Sequence, residues 1–264
     1  GLTPDAPPRE LSGKSRGDGD DEIVNWSEIR LMHESGHVDV QSHSLYHVQV
    51  PRSPKVVSLL DSFETVRAFD SVPAPVGFED LPIRAHREDL LGFPVFDGSS
   101  LFLGGERFVP PEEFIEACVK GWRRDEDRAH GEGVESFLRR IAWPPERIAG
   151  EGRYALVEPE IEHSLRRSRH IIEERLPGKA VRHFCFPYGL FCAASIAEVK
   201  RAGYNSAFLS YVRGQDENRP GGDPFSIVRL KNDYLPRLPG RGRRSLWAIL
   251  GMKLARRLRG ETGY

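Results

Sequence analysis

The chain has 264 residues, 39% hydrophobic and 29% charged, which suits one barrel-sized globular domain or a domain with a large insertion and is too apolar for disorder. Its 38 Lys and Arg against 39 Asp and Glu leave a formal net charge of −1, so it lacks the basic excess of a general nucleic-acid binder. Cys118, Cys185 and Cys192 form no close C-x-x-C pair and indicate neither a disulfide framework nor a zinc knuckle, and no apolar run approaches the roughly 20 residues of a membrane span.

Residues 1–22 are rich in Pro, Gly and charge and read as a linker or mobile arm. The start at Gly1 rather than Met suggests processing or truncation, so the lack of a signal peptide leaves localisation open. Asn25 is placed to cap a helix over Trp26 to Ser35, with Gly36 as its stop. His37 to Gln41 alternates in character, predicts a short strand, and runs into Ser42-His43-Ser44-Leu45-Tyr46-His47. Residues 50–157 carry many prolines and little regular period, with helices expected at 112–124 and 134–141. The apolar positions of those helices (Phe114, Ile115, Val119, Trp122, then Phe137, Leu138, Ile141) need a partner surface, so this stretch reads as an insertion folded over the main domain.

Regularity returns at Glu158, where Ile161, Leu165, Ser168, Ile172 and Leu176 mark one face of a long helix ended by Pro177-Gly178. A strand from Val181 to Phe186, a helix from Ala193 to Ala202, a strand from Ser206 to Ser210 and another from Phe225 to Leu230 follow. The alternation predicts an α/β fold with a largely parallel sheet or barrel, built from residues 23–49 and 158–240. Residues 241–264 form a basic C-terminal segment. Arg241 to Arg259 holds seven basic residues and no acid, interleaved with Leu246, Trp247, Ile249, Leu250, Met252, Leu254 and Leu258. Such a helix can make peripheral contact with an anionic membrane, although a terminal helix packed on the domain with its basic side in water is the commoner outcome.

Chemistry concentrates at His43 and His47. A helical turn between them would project both imidazoles from one side, and imidazole suits zinc and other first-row divalent metals. A bare H-x-x-x-H recurs by chance, and the scattered His33, His37, His86, His130, His163, His170 and His183 carry no such reading. The surroundings separate the pair from that background. The run from Trp26 to His47 resembles the polysaccharide deacetylase family related to the nodulation-factor deacetylase, in which a helix, a Gly and a short strand precede S-H-[ST]-x-x-H. Arg182-His-Phe-Cys-Phe-Pro-Tyr-Gly189, followed by Ile196 to Phe208 with its Ala-Gly-Tyr, is similar to the family's P-Y-G block and the helix and strand after it.

The resemblance covers residues 24–49 and 158–231. It implies a distorted (β/α) barrel and metal-dependent hydrolysis of N-acetyl, sometimes O-acetyl, groups on a carbohydrate polymer. His43 and His47 would be ligands of a divalent metal, usually zinc, which polarises the amide carbonyl while an Asp acts as base. Pro187, Tyr188 and Gly189 would wall the substrate groove, with the Tyr188 backbone helping to hold the oxyanion.

Three departures bear on catalysis. The family's first motif, a strand ending in Asp-Asp, is absent; Asp18-Gly-Asp-Asp21 is a charge run with no strand before it, and Asp97 lies in the insertion, after the histidines. Cys185 and Phe186 occupy the stretch where the family often has an Arg, and no His follows His183 to act as the late general acid. The expectation is therefore a barrel incomplete at its N-terminal end, with little or no deacetylase activity in this chain. The rival readings are a carbohydrate-binding relative that has lost its carboxylates and a non-catalytic membrane-surface scaffold.

Overall fold

The computed structural model describes residues 24–45, 47, 49–60, 91–124, 131–210, 212, 214–215, 217–229 and 243–258. The N-terminal arm with Asp18 to Asp21, and residues 61–90 of the expected insertion, lie outside these.

Helix α1 (Trp26–Glu34) starts where its cap predicts. The Asn25 side chain accepts from the Glu28 amide at 2.9 Å, and the Glu28 carboxylate accepts from the Asn25 amide at 2.8 Å. The strand expected over His37 to Gln41 does not form as a ladder. Ser42 alone bridges Phe184 in parallel, and the Cys185 amide donates to the Ser42 carbonyl at 2.9 Å. Gln41 Oε1 accepts from the amides of Arg182 and His183, each at 2.9 Å, so a side chain takes the place of ladder carbonyls.

Strands β1 (Gln49–Leu59) and β2 (Pro94–Ser100) pair antiparallel, as do β3 (Glu106–Val109) and β4 (Arg153–Leu156). Between the Pro51–Gly98 and Val56–Phe96 pairs, β1 advances five residues while β2 advances two. That bulge accommodates Pro51 and Pro54, whose missing amides suit an edge rather than a central strand. Prolines read as breakers thus hid this strand pair from sequence. The expected helices are present as α2 (Glu112–Arg124) and α3 (Val134–Arg140), followed by α4 (Pro145–Glu151).

The second half follows its predicted order. Helix α5 (Glu158–Arg175) leads to β5 (His183–Cys185), a 3-10 turn at Pro187–Gly189, α6 (Ala193–Arg201), β6 (Ser206–Leu209) and β7 (Ile227–Val228). The sheet has the order β5-β6-β7, parallel throughout, with Phe184 opposite Ala207 and Phe208 opposite Ile227. The fold is therefore mixed α/β. A closed barrel is not formed by the described residues, whose parallel sheet ends at the two-residue β7 on one side and at the single Ser42 bridge on the other. Closure needs hydrogen-bonding strands on both edges. The last helix, α7 (Leu246–Leu258), stands apart in sequence. Among the described residues, no helix is long and apolar enough to cross a membrane.

Two cores result. The first gathers Phe184, Phe186, Ala207 and Leu209 from the sheet region with Ile161 and Leu165 of α5 and Val199 of α6. The second gathers Phe96, Phe108, Phe114, Cys118, Trp122, Phe137 and Trp143. Strand β1 links them, with Val50 in the first core and Leu59 in the second.

Candidate metal and substrate site

The described residues around His43 and His47 form a loop fixed from below by α5. Buried Ser42 and Ser168 share a hydrogen bond of 2.8 Å between their hydroxyls, and the Leu45 amide donates to Ser164 Oγ at 3.2 Å. Ser164 and Ser168 are four apart on the buried face of α5, so one helix presents both hydroxyls to the loop. The described residues of this stretch do not take the helical turn that would align the histidines by spacing alone. Ser44 (φ 81°) and His47 (φ 54°) are left-handed, and Ser44 Oγ accepts from the His47 amide at 2.9 Å. This compact reversal brings the imidazoles side by side with ring centres 4.8 Å apart. Two imidazoles on one tetrahedral ion, with nitrogens about 2 Å from it, would have ring centres roughly 5 Å apart.

His43 Nδ1 lies 2.6 Å from the Cys185 carbonyl oxygen. A carbonyl only accepts, so Nδ1 carries the proton and the neutral ring keeps its lone pair on Nε2. Part of His43 faces solvent, yet its neighbours wall in the ring. That desolvation holds its pKa below the ordinary histidine value, opposed by the Cys185 carbonyl and aided by the charges of His47 and Arg229. A neutral imidazole oriented by a backbone carbonyl is the form that binds a metal ion.

The 3-10 turn Pro187–Gly189 supplies the adjoining wall. Tyr188 is left-handed (φ 56°); its ring centre lies 4.4 Å from that of His47, and its hydroxyl donates to the His47 carbonyl at 3.1 Å. Gly189, at φ +67°, is sterically required, because a Cβ there would lie 2.1 Å from Ser210 Oγ and 2.2 Å from its Cβ. Behind this wall, Arg229 donates from Nη1 to Cys185 Sγ at 2.8 Å. Burial pushes the Cys185 thiol up in pKa, with Arg229 opposing.

No family model matches the chain, and no curated protein matches it significantly. Solved structures similar to it include two deacetylases. A de-N-acetylase from Aggregatibacter actinomycetemcomitans shares 16% identity at a TM-score of 0.37, covering 78% of this chain and 48% of that one. The BpsB deacetylase domain from Bordetella bronchiseptica shares 16% identity at a TM-score of 0.39, covering 86% of this chain and 55% of that one. The chain thus spans about half the length of each.

Carboxylates are less well placed than the histidines. Asp39, four residues before His43, forms an ion pair with Lys179 and accepts from Gln41 at 2.8 Å; the Lys179 bond is the larger cause holding its carboxyl below the usual range. Asp97 is exposed on β2. Among the described residues, no three His, Cys, Asp or Glu side chains are grouped to hold an ion. His183 is engaged with Ser206 Oγ at 2.8 Å, away from any such role.

Sequence reading missed the residues that orient the site. Ser168 was visible as a serine on the otherwise apolar stripe of α5, a position that asks for a buried partner. Gln41 and Arg229 carry no such signal, since their partners lie 142 and 44 residues away.

Proposed function

We propose that this chain carries the metal-binding histidine pair and substrate wall of a carbohydrate de-N-acetylase, of the distorted-barrel polysaccharide deacetylase type. The observation that supports the reading is convergence. Two motif blocks about 140 residues apart meet at one place, with the His43 ring on the Cys185 carbonyl and the His47 ring against Tyr188. His43 through Nε2, and His47 through its ring, would hold a divalent ion, most simply zinc, whose Lewis acidity acts on an amide carbonyl. Cys185 fixes the tautomer of His43 through its carbonyl. Tyr188 buttresses His47 and offers an aromatic face beside it, and Pro187 and Gly189 hold that face in place. The site still requires an anionic third ligand and a general base. Asp39 is already committed to Lys179 and Gln41, so Asp97 is the described acid to test first.

A carbohydrate-binding relative without turnover is the second reading, favoured by the engaged state of Asp39. Titration with zinc and with an N-acetylated oligosaccharide, alongside acetate release with zinc or cobalt supplied, separates the two. The de-N-acetylase reading expects zinc uptake that depends on both histidines, and acetate release, however slow, that needs the metal. Oligosaccharide binding without zinc uptake or acetate would establish the second reading. Zinc uptake unchanged in His43→Ala would remove the first.

A further inference from the structure

Helix α7 departs from the packing expected of a terminal amphipathic helix. Ile249 is 1% exposed and is its one buried apolar side chain among the described residues, whereas Trp247 is 81%, Leu250 40%, Leu254 60% and Leu258 80% exposed. These four are spaced three, four and four residues apart, so at about 100° per residue they fall within an arc of roughly 80°. Ile249 lies on the other side of the helix. The helix is thus anchored by one face and presents a Trp-Leu-Leu-Leu stripe outward along its whole length of about 20 Å.

The charge around the stripe selects its occupant. Residues 241–259 hold seven basic side chains and no acidic one, in a chain whose overall charge is −1. Arg243 and Arg244 are exposed just before the helix. A second copy of the chain would set this basic segment against itself and pay like-charge repulsion. A bilayer with anionic headgroups meets both needs, because acyl chains take the leucines, the headgroup boundary takes Trp247, and the phosphates take the arginines. The helix has 13 residues, too short to span but suited to lying in the interface plane.

We propose that α7 docks the protein peripherally on an anionic phospholipid surface through Trp247, Leu250, Leu254 and Leu258. The site chemistry proposed above is independent of this. The test is co-sedimentation of the full chain with vesicles of phosphatidylcholine alone and with vesicles that also contain phosphatidylglycerol, while tryptophan emission is recorded. Binding should be at least about tenfold stronger to the anionic vesicles and should weaken with salt. Leu254→Glu should lower partitioning by about tenfold or more while leaving the thermal midpoint unchanged. Trp247→Phe should keep most of the binding but lose the blue shift, since the other three tryptophans lie elsewhere. Equal binding to both vesicle types, no binding to either, or an unchanged partition in Leu254→Glu would overturn the proposal. So would a monomer–dimer equilibrium abolished by Leu254→Glu in protein that ignores vesicles, which would assign the stripe to a second copy.

Discussion

At the scale of single residues, the site depends on backbone conformations that most side chains avoid. Ser44, His47 and Tyr188 are all left-handed, at a typical cost of 1 kcal/mol or more each, roughly. Such strain persists only where surrounding bonds over-determine it, and here the Ser44 hydroxyl and the Tyr188 hydroxyl both bind the His47 backbone. If the two imidazoles share an ion, His43→Ala and His47→Ala should each abolish tight zinc uptake in calorimetric titration. Their melting temperatures without metal should stay close to that of the parent, because neither ring is part of a core. Gly189→Ala is the contrasting case. It should cost about 2–4 kcal/mol in urea unfolding, from left-handed strain together with the clash on Ser210. A loss under about 1 kcal/mol would mean that the turn can relax away from Ser210.

At the scale of elements, α5 holds the histidine loop in position. Its apolar face enters the first core through Ile161 and Leu165, and the same face carries Ser164 and Ser168, which bind Leu45 and Ser42. Each bond ties the loop to a helix more than 100 residues away in sequence, so both position the loop on α5. The Ser164→Ala and Ser168→Ala double variant should lose about 2 kcal/mol of stability, near 1 kcal/mol per bond. Its zinc affinity should fall by about tenfold or more, as when groups orienting a metal ligand are removed. Competition with a chromophoric chelator gives the affinity and thermal melting gives the stability. A loss of stability with unchanged affinity would show that the loop holds its shape without α5.

At the scale of the whole molecule, the two cores are joined by strands that feed both. β1 runs from Val50 in the first to Leu59 in the second, and Leu101 and Phe102 carry the chain from the end of β2 back into the first. A cavity in one core should therefore be felt by the other. Phe114→Ala, which removes a fully buried ring packed against Phe96 and Trp143, should cost about 3–5 kcal/mol. It should lower a single calorimetric transition rather than split it. Two separated transitions would show that the second core unfolds alone.

Local chemistry and periodicity were enough to place some elements. The Asn25 cap of α1, the apolar stripe of α5 with its Pro177-Gly178 end, and the strand–helix–strand order from 181 to 210 are each decided by side chains within a few residues of one another. The pairing of β1 with β2 was not legible, because a bulge that tolerates Pro51 and Pro54 exists only when the partner strand is present. For the site, the types and spacing of His43, His47 and Pro187 to Gly189 were readable, but the means of bringing the rings together was not. Sequence spacing favours a helical turn, whereas contacts from Ser164, Ser168 and Tyr188 hold a left-handed loop that an isolated peptide would not keep. Which apolar face of α7 is covered was likewise a tertiary decision. Burial depends on what lies opposite a helix, and here Ile249 is covered while the longer apolar stripe through Leu254 is not.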